Sequence, residues 1–321
     1  MRRTKAFSVC ICLTAVILAG CGRQTEFTHF YEPAQMRTFL SASVGNAYAD
    51  TFASDLCVVT GSEPGTDETV TAEAAAVFDV STGQVICQKD PFERKNPASI
   101  TKIMTALIAI RDGDPDEVIT VGEETVITER GASLCRINPG DTLTLEDLLY
   151  GLMLPSGNDA AAAIAVHMSG SIEAFAERMN EEAWAIGATN THFTNPHGLT
   201  DPDHYTTAYD LYLIFYEAMQ YPEFRRIIST KAYTAAYTDA DGLEKSQEWT
   251  NSNWYLTGQA TAPEGLTVIG GKTGTTAAAG SCLIMDSQDS EGRDYISVVL
   301  KADSRDLLYE DMTNIIQKIV N

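Results

Sequence analysis

The chain has 321 residues, and its 44 Asp and Glu residues against 22 Lys and Arg residues give a formal net charge of −22 at pH 7. Such a surface repels nucleic acid and gains nothing from anionic lipids, so we expect no nucleic-acid partner. The length is sufficient for one large domain with a substantial hydrophobic core.

The N-terminal segment, residues 1–20, has the layout of a secretory signal peptide. Three of its first five residues are Lys or Arg, and residues 9–18 form an apolar run too short to span a bilayer comfortably. The run ends in Leu-Ala-Gly-Cys at residues 18–21, which resembles a bacterial lipobox, in which the cysteine becomes the lipidated first residue of the mature protein. An ordinary signal peptide followed by a chance cysteine is the alternative. We expect export, and anchoring to the outer face of the cytoplasmic membrane through acyl chains on Cys21.

Residues 21–70 are predicted to form a stalk or linker, because they are polar and show no sustained periodicity, and residues 71–321 are predicted to form the folded domain. Four cysteines remain beyond the signal segment and Cys21, and they are far apart in sequence with no Cys-x-x-Cys pair, which argues against a structural zinc site. Export would permit disulfides between them, and four buried thiols are the alternative. These cysteines are Cys57, Cys87, Cys135 and Cys282.

The predicted secondary structure begins and ends with β-strands. Residues 74–87 have the pattern of a β-hairpin. From residue 266 the pattern is β again, and residues 281–285 are expected to pair with residues 295–300 across a polar turn. A final amphipathic helix carries apolar residues at helical spacing, namely Leu308, Met312, Ile315, Ile316 and Ile319.

Helical periodicity dominates the middle of the chain. After Asn96-Pro97, apolar residues recur at i, i+3 and i+4 spacing in a predicted helix that Asp112-Gly113 ends. The last helix of this region begins with Thr207-x-x-Asp210, an approximate capping box. The other predicted helices cover residues 145–152, 159–168, 172–186 and 207–220.

Strands at both ends of a helical middle predict an α/β (α+β) fold. One antiparallel sheet, flanked by helices, would be closed by the two ends of the domain, with an all-helical subdomain inserted between them. The sheet part would comprise about residues 71–96 and 250–321, and the helical part about residues 97–249. We expect the active site in the cleft between the two parts.

Three short strings, in this order, indicate one chemistry: Ser99-Ile-Thr-Lys102, Ser156-Gly-Asn158 and Lys272-Thr-Gly274. Each string is weak evidence alone. Together they supply a nucleophile with an adjacent amine, a second hydroxyl with a carboxamide, and a cation on a glycine-containing strand. These are the active-site groups of a serine acyl-transferase in which Lys, rather than His, accepts and donates the proton.

In the first string, Ser99 lies at the first turn of a predicted helix, where free backbone N–H groups favour a developing oxyanion. Lys102 shares its helix face and can accept the serine proton only when neutral. Burial and a second cation, for which Lys272 is the candidate, would lower the pKa of Lys102. The alternative is a serine N-cap beside a solvated lysine.

In the second string, Ser156 and Asn158 have two interpretations. One is a turn in which Asn158 caps the helix that follows. The other places the Ser156 hydroxyl between the two lysines, where it relays a proton to the leaving amine. The Asn158 amide would then orient Lys102 and bind the substrate backbone.

The third string lies in Gly-Gly-Lys-Thr-Gly-Thr-Thr at residues 270–276, which we tested as a phosphate-binding loop. That motif needs a glycine six residues before the lysine, where this chain has Leu266, and no clear helix follows. We interpret it instead as an edge strand along which a peptide substrate pairs. Substrate binding is assigned to Thr273, Gly274 and Thr275, with Lys272 and the two threonines holding a terminal carboxylate. The N–H groups of Thr275 and Ser99 would form the oxyanion hole.

Residues 192–204 contain three histidines and two aspartates, from which a zinc hydrolase could be built. The same segment is rich in turn-forming Asn-Pro and Asp-Pro pairs, which favours a structural loop. The serine and lysine residues can carry out the reaction without a metal ion, so we expect no metal and no cofactor. We also expect no Ser-His-Asp triad that uses His197, which is a weaker hypothesis than the zinc site.

With all three strings in order, the chain resembles the serine-type D-alanyl-D-alanine carboxypeptidases, the low-molecular-mass penicillin-binding proteins. The resemblance covers roughly residues 72–319 and extends to the strings at residues 97–107, 147–161 and 190–199. It implies a five-stranded antiparallel sheet with helices and a helical subdomain, and a structural role for the loop around His197. It also implies that Ser99 attacks the penultimate D-Ala carbonyl of peptidoglycan stem peptides ending in D-Ala-D-Ala, and that β-lactam antibiotics acylate Ser99.

Two departures from the family pattern stand out. Many relatives carry a C-terminal β-rich domain and an amphipathic membrane helix, whereas this sequence stops at Asn321, so the lipid on Cys21 is expected to replace that anchor. Some relatives place an Arg just before an aromatic residue in the last helix, where this chain has Leu308 before Tyr309. Arg305, one turn earlier, is the residue that could compensate.

Two alternatives stay open. A β-lactamase shares the serine and the fold, but the class with these lysines uses Ser-Asp-Asn where this chain has Ser156-Gly-Asn158, and its Glu-x-x-Leu-Asn string is absent. A non-catalytic lipoprotein that binds muropeptides is the other, and the intact Ser99, Lys102 and Lys272 argue against it.

Overall fold

The computed structural model describes residues 56–59 and 69–320, which all lie in one compact unit, Asp50–Asn321. The predicted signal peptide, Cys21 and most of the predicted stalk lie outside the described residues. The strands, in chain order, are β1 (Ala74–Asp79), β2 (Gln84–Lys89), β3 (Val118–Thr120), β4 (Thr142–Thr144), β5 (Ala232–Thr238), β6 (Glu244–Thr250), β7 (Leu266–Thr276), β8 (Gly280–Asp289) and β9 (Asp294–Ala302).

The helices occupy the middle of the chain and its C-terminal end. They are α1 (Lys102–Asp112), α2 (Leu145–Met153), α3 (Asn158–Ser169), α4 (Ile172–Ile186), α5 (Ala208–Ala218), α6 (Pro222–Ser229), α7 (Trp254–Thr257) and α8 (Arg305–Ile316). Three short 3₁₀ turns cover Ala98–Thr101, Glu123–Thr125 and Gln317–Ile319. No described helix is both long enough and apolar enough to cross a bilayer.

The main sheet has five antiparallel strands in the order β2-β1-β9-β8-β7, which confirms the predicted fold class. The β1–β2 hairpin turns at Asp79, whose carboxylate accepts hydrogen bonds from the N–H groups of Ser81 and Thr82. Since β1 pairs with β9, the two ends of the domain close the sheet. The Lys272 strand, β7, is the outermost strand on one side.

Each face of this sheet packs against helices. On one face, Phe78, Ile296 and Val298 lie in a continuous apolar core with residues of α1 and α5, such as Leu107. On the other face, Leu283 and its neighbours on β8 and β9 pack against Leu308, Met312, Ile315 and Ile316 of α8. Burial of this apolar surface on both faces holds the layers together and fixes the start of α1 against the sheet.

Two helices of the inserted part begin at threonine caps, of which only the one at Thr207 was predicted. Thr144 and Asp147 form a complete capping box at α2. At α5, only half of the predicted box forms: Thr207 Oγ1 accepts from Asp210 N, while the Asp210 carboxylate binds Asn190 and Thr191 instead.

The inserted part is not entirely helical, which corrects that detail of the prediction. It contains a second antiparallel sheet with the strand order β3-β4-β5-β6. Strand β6 is exposed at nearly every position, and Trp249 is its one buried apolar residue. Strands without an apolar face give no alternating pattern, so periodicity does not reveal them.

The four cysteines beyond the predicted anchor are buried thiols, and none of them forms a disulfide. They therefore behave as small apolar residues of the core, as one of the two alternatives expected.

Candidate active site

Ser99 lies in the 3₁₀ turn that leads into α1, half-buried at the edge of a cleft of about 480 Å³. The preceding residue, Ala98, has a φ of +49°, a left-handed conformation that residues other than glycine adopt rarely. Such strain concentrates at functional sites, where the surrounding structure enforces it. The turn directs the Ser99 side chain towards the cleft between the end of β7 and the inserted part.

Lys102 is fully buried beneath Ser99. Its Nζ lies 3.0 Å from Ser99 Oγ, 2.6 Å from Asn158 Oδ1 and 2.7 Å from the backbone oxygen of His197. Burial, and then the positive charge of Lys272, hold the pKa of Lys102 well below its usual range. The lowered pKa favours the neutral form of Lys102, which proton acceptance requires.

The second string is held between α2 and α3. Ser156 has a φ of +66°, and Asn158 is the first residue of α3. Both side chains are buried, and each contacts a different lysine. Asn158 does not cap the helix: the N-cap position is Gly157, no side chain makes a cap hydrogen bond there, and Asn158 Oδ1 accepts from Lys102 instead.

Lys272, in the middle of β7, is buried opposite Lys102. Its Nζ donates to Ser156 Oγ at 2.9 Å and to the backbone oxygen of Thr273 at 2.9 Å. Burial, followed by the nearby charge of Arg305, lowers the pKa of Lys272 to about 7. Both buried lysines therefore have lowered pKa values, and in each case the causes are burial and a neighbouring cation.

The strand after Lys272 runs directly beside the Ser99 turn. A Cβ added to Gly274 would lie 2.9 Å from both the backbone nitrogen of Ser99 and the backbone oxygen of Pro97, so only glycine fits. Thr275 is exposed and lines the cleft, whereas Thr273 Oγ1 lies 2.7 Å from Ser252 Oγ. Of the predicted residues, Ser99, Asn158 and Thr275 line the cleft. The buried Lys102 contacts Ser99 and Asn158, and the buried Lys272 contacts Ser156. The predicted lipidation site, Cys21, lies outside the described residues.

One wall of the cleft was not predicted. It is the exposed segment Glu129–Ser133, which connects elements of the inserted part. Asn158 N donates to Ser133 O at 2.8 Å, and the buried carboxylate of Asp159 accepts from the N–H groups of Cys135 and Arg136 at 2.9 Å and 2.7 Å. The residue that follows Ser-Gly-Asn therefore anchors the wall, and this contact leaves no signal in sequence periodicity.

Arg305, the first residue of α8, is a second cation whose charge acts on Lys272. Its Nη2 donates to Ser252 O at 3.1 Å, and its guanidinium lies 5.3 Å from the centroid of the Trp254 ring. Its charge contributes to the lowered pKa of Lys272, so it belongs to the electrostatics of the site.

The histidines at residues 192–204 have separate environments. The backbone oxygen of His197 accepts from Lys102, and burial and the charge of Lys102 lower the pKa of its imidazole to about 3. His204 is buried against Thr101. In the described part of the chain, no three His, Cys, Asp or Glu residues are grouped so that they could hold a metal ion.

Comparison with known proteins agrees with this geometry. The family model of D-alanyl-D-alanine carboxypeptidase, peptidase family S11, matches residues 59–304. The D-alanyl-D-alanine carboxypeptidase DacD of Escherichia coli is 34% identical over 238 residues, which cover 71% of this chain and 58% of that protein. DacF of Bacillus subtilis is 33% identical over 237 residues, which cover 72% of this chain and 57% of that protein. The chain thus spans less than two thirds of the length of these two relatives.

A Streptomyces protein is matched over most of its length. The D-alanyl-D-alanine carboxypeptidase of Streptomyces sp. K15 is 32% identical over 261 residues, covering 78% of this chain and 87% of that protein. The crystal structure of the Streptomyces K15 DD-transpeptidase superposes with a TM-score of 0.72 at 31% identity and covers 79% of this chain and 98% of that one. Sequence, fold and site geometry agree, and the chain belongs to the D-alanyl-D-alanine carboxypeptidase family of serine peptidases, family S11.

Proposed function

We propose that this protein is a penicillin-sensitive serine D-Ala-D-Ala carboxypeptidase, which removes the terminal D-Ala from peptidoglycan stem peptides through an acyl-enzyme on Ser99. The observation that carries the proposal is the contact of Ser99 Oγ with a fully buried lysine amine at 3.0 Å. Ser99, Lys102, Ser156, Asn158 and Lys272 are assigned as the catalytic residues.

Lys102 acts as the general base in acylation. A neutral amine has two N–H donors and one lone pair. Asn158 Oδ1 and the His197 carbonyl can only accept hydrogen bonds, so they take both N–H groups. The lone pair then faces the Ser99 hydroxyl, which donates its proton as its oxygen attacks the penultimate D-Ala carbonyl.

Two backbone N–H groups are assigned to the oxyanion that this attack creates. Ser99 N is in the first turn of the helix, where N–H groups have no intrahelical partner, and Thr275 N lies across the cleft on β7. The closeness of Gly274 to Ser99 N supports this pairing of the two segments.

Collapse of the tetrahedral intermediate expels D-Ala, whose amine must gain a proton. Ser156 accepts a hydrogen bond from Lys272, so its own hydroxyl proton is available to the leaving amine and is replaced from the lysine. Acylation leaves Lys102 protonated and Lys272 neutral, and passage of that proton to Lys272 restores both. Water then attacks the Ser99 ester, and Lys102 accepts the water proton and returns it to Ser99 Oγ as the shortened peptide is released.

Substrate recognition is assigned to β7 and the cations beside it. The stem peptide would pair with this outermost strand, with Thr273, Gly274 and Thr275 next to its C-terminal end. Lys272 and Arg305 supply positive charge for the terminal carboxylate in a chain that is otherwise strongly acidic. A β-lactam resembles the D-Ala-D-Ala end and would be held as a long-lived ester on Ser99.

We also infer that the protein is exported and held at the outer face of the cytoplasmic membrane by acyl chains on Cys21. The basic and apolar regions at residues 1–20 and the Leu-Ala-Gly-Cys string support this location. Metabolic labelling of cells with an alkyne fatty acid should label the wild-type chain and not the C21S variant. Equal labelling of both would overturn the anchor.

The enzymatic test measures D-alanine release from a peptide ending in D-Ala-D-Ala, using the full chain in detergent beside its Ser99→Ala variant. We expect release by the wild type and none by the variant. A penicillin adduct on Ser99 without D-alanine release would indicate a binding or cross-linking role, and rapid turnover of penicillin would indicate a β-lactamase. Release that survives Ser99→Ala and stops with a chelator would contradict the serine mechanism.

A further inference from the structure

The peptide bond between Ala98 and Ser99 carries one of the two N–H groups assigned to the oxyanion hole. Because a peptide unit is planar and trans, the direction of the Ala98 carbonyl fixes the opposite direction for the Ser99 N–H. The left-handed φ of Ala98, +49°, is a conformation that an alanine does not hold by itself. Neighbouring groups must therefore keep this peptide unit in place.

Both polar backbone groups of Ala98 are held by side chains. Its N–H donates to Asn96 Oδ1 at 3.1 Å, and its carbonyl accepts from Thr101 Oγ1 at 2.8 Å. Gly198 backs the same carbonyl so closely that an added Cβ would lie 1.8 Å from the oxygen. Rotation of the peptide unit would break these contacts or collide with Gly198.

Both of these side chains also form hydrogen bonds with His204. Asn96 Nδ2 donates to the backbone oxygen of His204 at 3.3 Å, and the His204 ring Nε2 lies 2.8 Å from Thr101 Oγ1. The other ring nitrogen, Nδ1, accepts from the backbone N–H of Thr194 at 3.1 Å. Since a backbone N–H can only donate, Nδ1 carries the lone pair and Nε2 carries the proton.

The direction of the whole chain of hydrogen bonds follows. His204 Nε2–H donates to Thr101 Oγ1, so the Thr101 hydroxyl donates its own proton to the Ala98 carbonyl. Such a chain is cooperative, because each bond polarises the next. His204 is 1% exposed, and burial lowers its pKa to about 4, which keeps the ring neutral and the direction unchanged near neutral pH.

We propose that His204, through Thr101 and Asn96, is a positioning residue that holds the Ala98–Ser99 peptide with its N–H directed at the reacting carbonyl oxygen. The proposal rests on the proposed function of Ser99, and it assigns a task to a histidine that touches neither the substrate nor the catalytic lysines. An oxyanion donor that points away from the oxyanion contributes little, so loss of the positioning should slow acylation.

The test uses Thr101→Val, which removes the hydroxyl and keeps the branched shape. The chain offers a matched control in Thr105→Val, one turn later on α1, where a buried hydroxyl donates to the Pro196 carbonyl at 2.7 Å and does not contact Ala98. Thr101→Val loses two buried hydrogen bonds and Thr105→Val loses one, so Thr101→Val should have the larger fall in melting temperature, and acylation is measured well below both melting temperatures. Thr101→Ser retains the hydroxyl and should rescue the function.

Two readouts on the full chain in detergent separate positioning from folding. In rapid-mixing kinetics with a fluorescent penicillin, Thr101→Val should acylate about 10-fold more slowly with unchanged initial binding, while Thr105→Val acylates at the wild-type rate. In difference infrared spectra of the acyl-enzyme, the ester carbonyl band of Thr101→Val should move to higher wavenumber, because its oxygen accepts a weaker hydrogen bond. His204→Ala should repeat both effects, and the double variant should be no slower than either single variant.

Equal effects of Thr101→Val and Thr105→Val on the acylation rate and the carbonyl band would overturn the inference. So would independent, additive effects of His204→Ala and Thr101→Val. If the wild type itself forms no acyl-enzyme, the proposed function fails instead, so the two failures are distinguishable.

Discussion

Gly274 lies so close to Ser99 that a Cβ on the glycine would sit 2.9 Å from the serine backbone nitrogen. Gly274→Ala should therefore push β7 and the Ser99 turn apart and separate the two assigned oxyanion donors, with a loss of acylation rate of roughly 10²-fold. Thr267→Ala, at an exposed position of the same strand, should have no effect. The second-order rate of penicillin acylation measures both, and a Gly274→Ala variant that acylates at the wild-type rate would contradict the assigned oxyanion hole.

Arg305→Gln should raise the pKa of Lys272. The Arg305 guanidinium is one of the two causes that lower this pKa to about 7. Its removal takes away a positive charge that repels the protonated amine of Lys272, so the protonated form becomes more stable. If cationic Lys272 attracts the substrate carboxylate, kcat/KM falls as pH rises through this pKa. The alkaline limb should then move to higher pH in Arg305→Gln, with a lower maximum because one cation is lost.

The measurement is kcat/KM for D-alanine release between pH 5 and 10. Arg293→Gln is the matched control, because this exposed arginine pairs with Asp289 in the β8–β9 hairpin. A limb that stays in place or moves to lower pH in Arg305→Gln would show that the two groups are not coupled as the structure indicates.

Asp159→Ala should loosen the unpredicted wall of the cleft. The variant leaves the N–H groups of Cys135 and Arg136 without their acceptor, at a cost on the order of 1–3 kcal/mol of unfolding free energy. Arg130, which is exposed on the wall, should become more susceptible to trypsin, and KM should rise more than kcat falls. Limited proteolysis with mass spectrometry locates the cleavage, and Asp116→Ala, at an exposed position, should leave it unchanged.

Asp286→Asn should stabilise the protein at alkaline pH. Burial, and then the charge of Asp294, raise the pKa of the Asp286 carboxyl to about 8, while Arg225 at 4.0 Å opposes this only in part. The folded state therefore binds a proton that the unfolded state releases near pH 4. The stability that this proton contributes is complete below pH 4 and is lost as pH rises through about 8, at roughly 1.4 kcal/mol per pH unit.

Urea unfolding of the wild type and of Asp286→Asn at pH 6 and pH 9 measures this loss. The free-energy advantage of the variant should grow between the two pH values, whereas Asp303→Asn, at an exposed carboxylate, should show no such trend. An advantage that does not change with pH would mean that Asp286 does not titrate in this range.

The reacting groups are predictable from sequence because their chemistry constrains residue identity within short stretches. Ser99 and Lys102 must share one turn of a helix, and Ser156 and Asn158 must flank the entry to another. The apolar periodicity of α1 and the alternation in β8 and β9 are equally local, so the main sheet and its flanking helices were predictable. Residue identity and local spacing are together sufficient to place Lys272 on a strand.

The supporting contacts could not be predicted, since side chains of common residue types make them with backbone groups or with residues that are far away in sequence. Asp159 reaches Cys135 and Arg136, and Thr101 hydrogen-bonds within its own turn while touching a histidine from a distant loop. The β5–β6 hairpin was missed for a different reason. Strand β6 is exposed at nearly every position, and β5 alternates in burial but has alanines on both faces, with Ala235 buried and Ala236 exposed, so the alternation is faint in the sequence.

Lys272 and Arg305 are two neighbouring cations of the proposed site in a chain with a net charge of −22. At distances beyond the Debye length of about 10 Å at 0.1 M salt, an anionic peptide of the kind proposed as substrate meets a surface of its own sign, and the two cations attract it only at short range. The acidic surface therefore opposes the diffusional encounter with an anionic peptide, whereas the two cations favour binding once the peptide is close to them. Added salt screens the field of the acidic surface first, so association with an anionic substrate should become faster as ionic strength rises, the reverse of an enzyme that steers its substrate from afar.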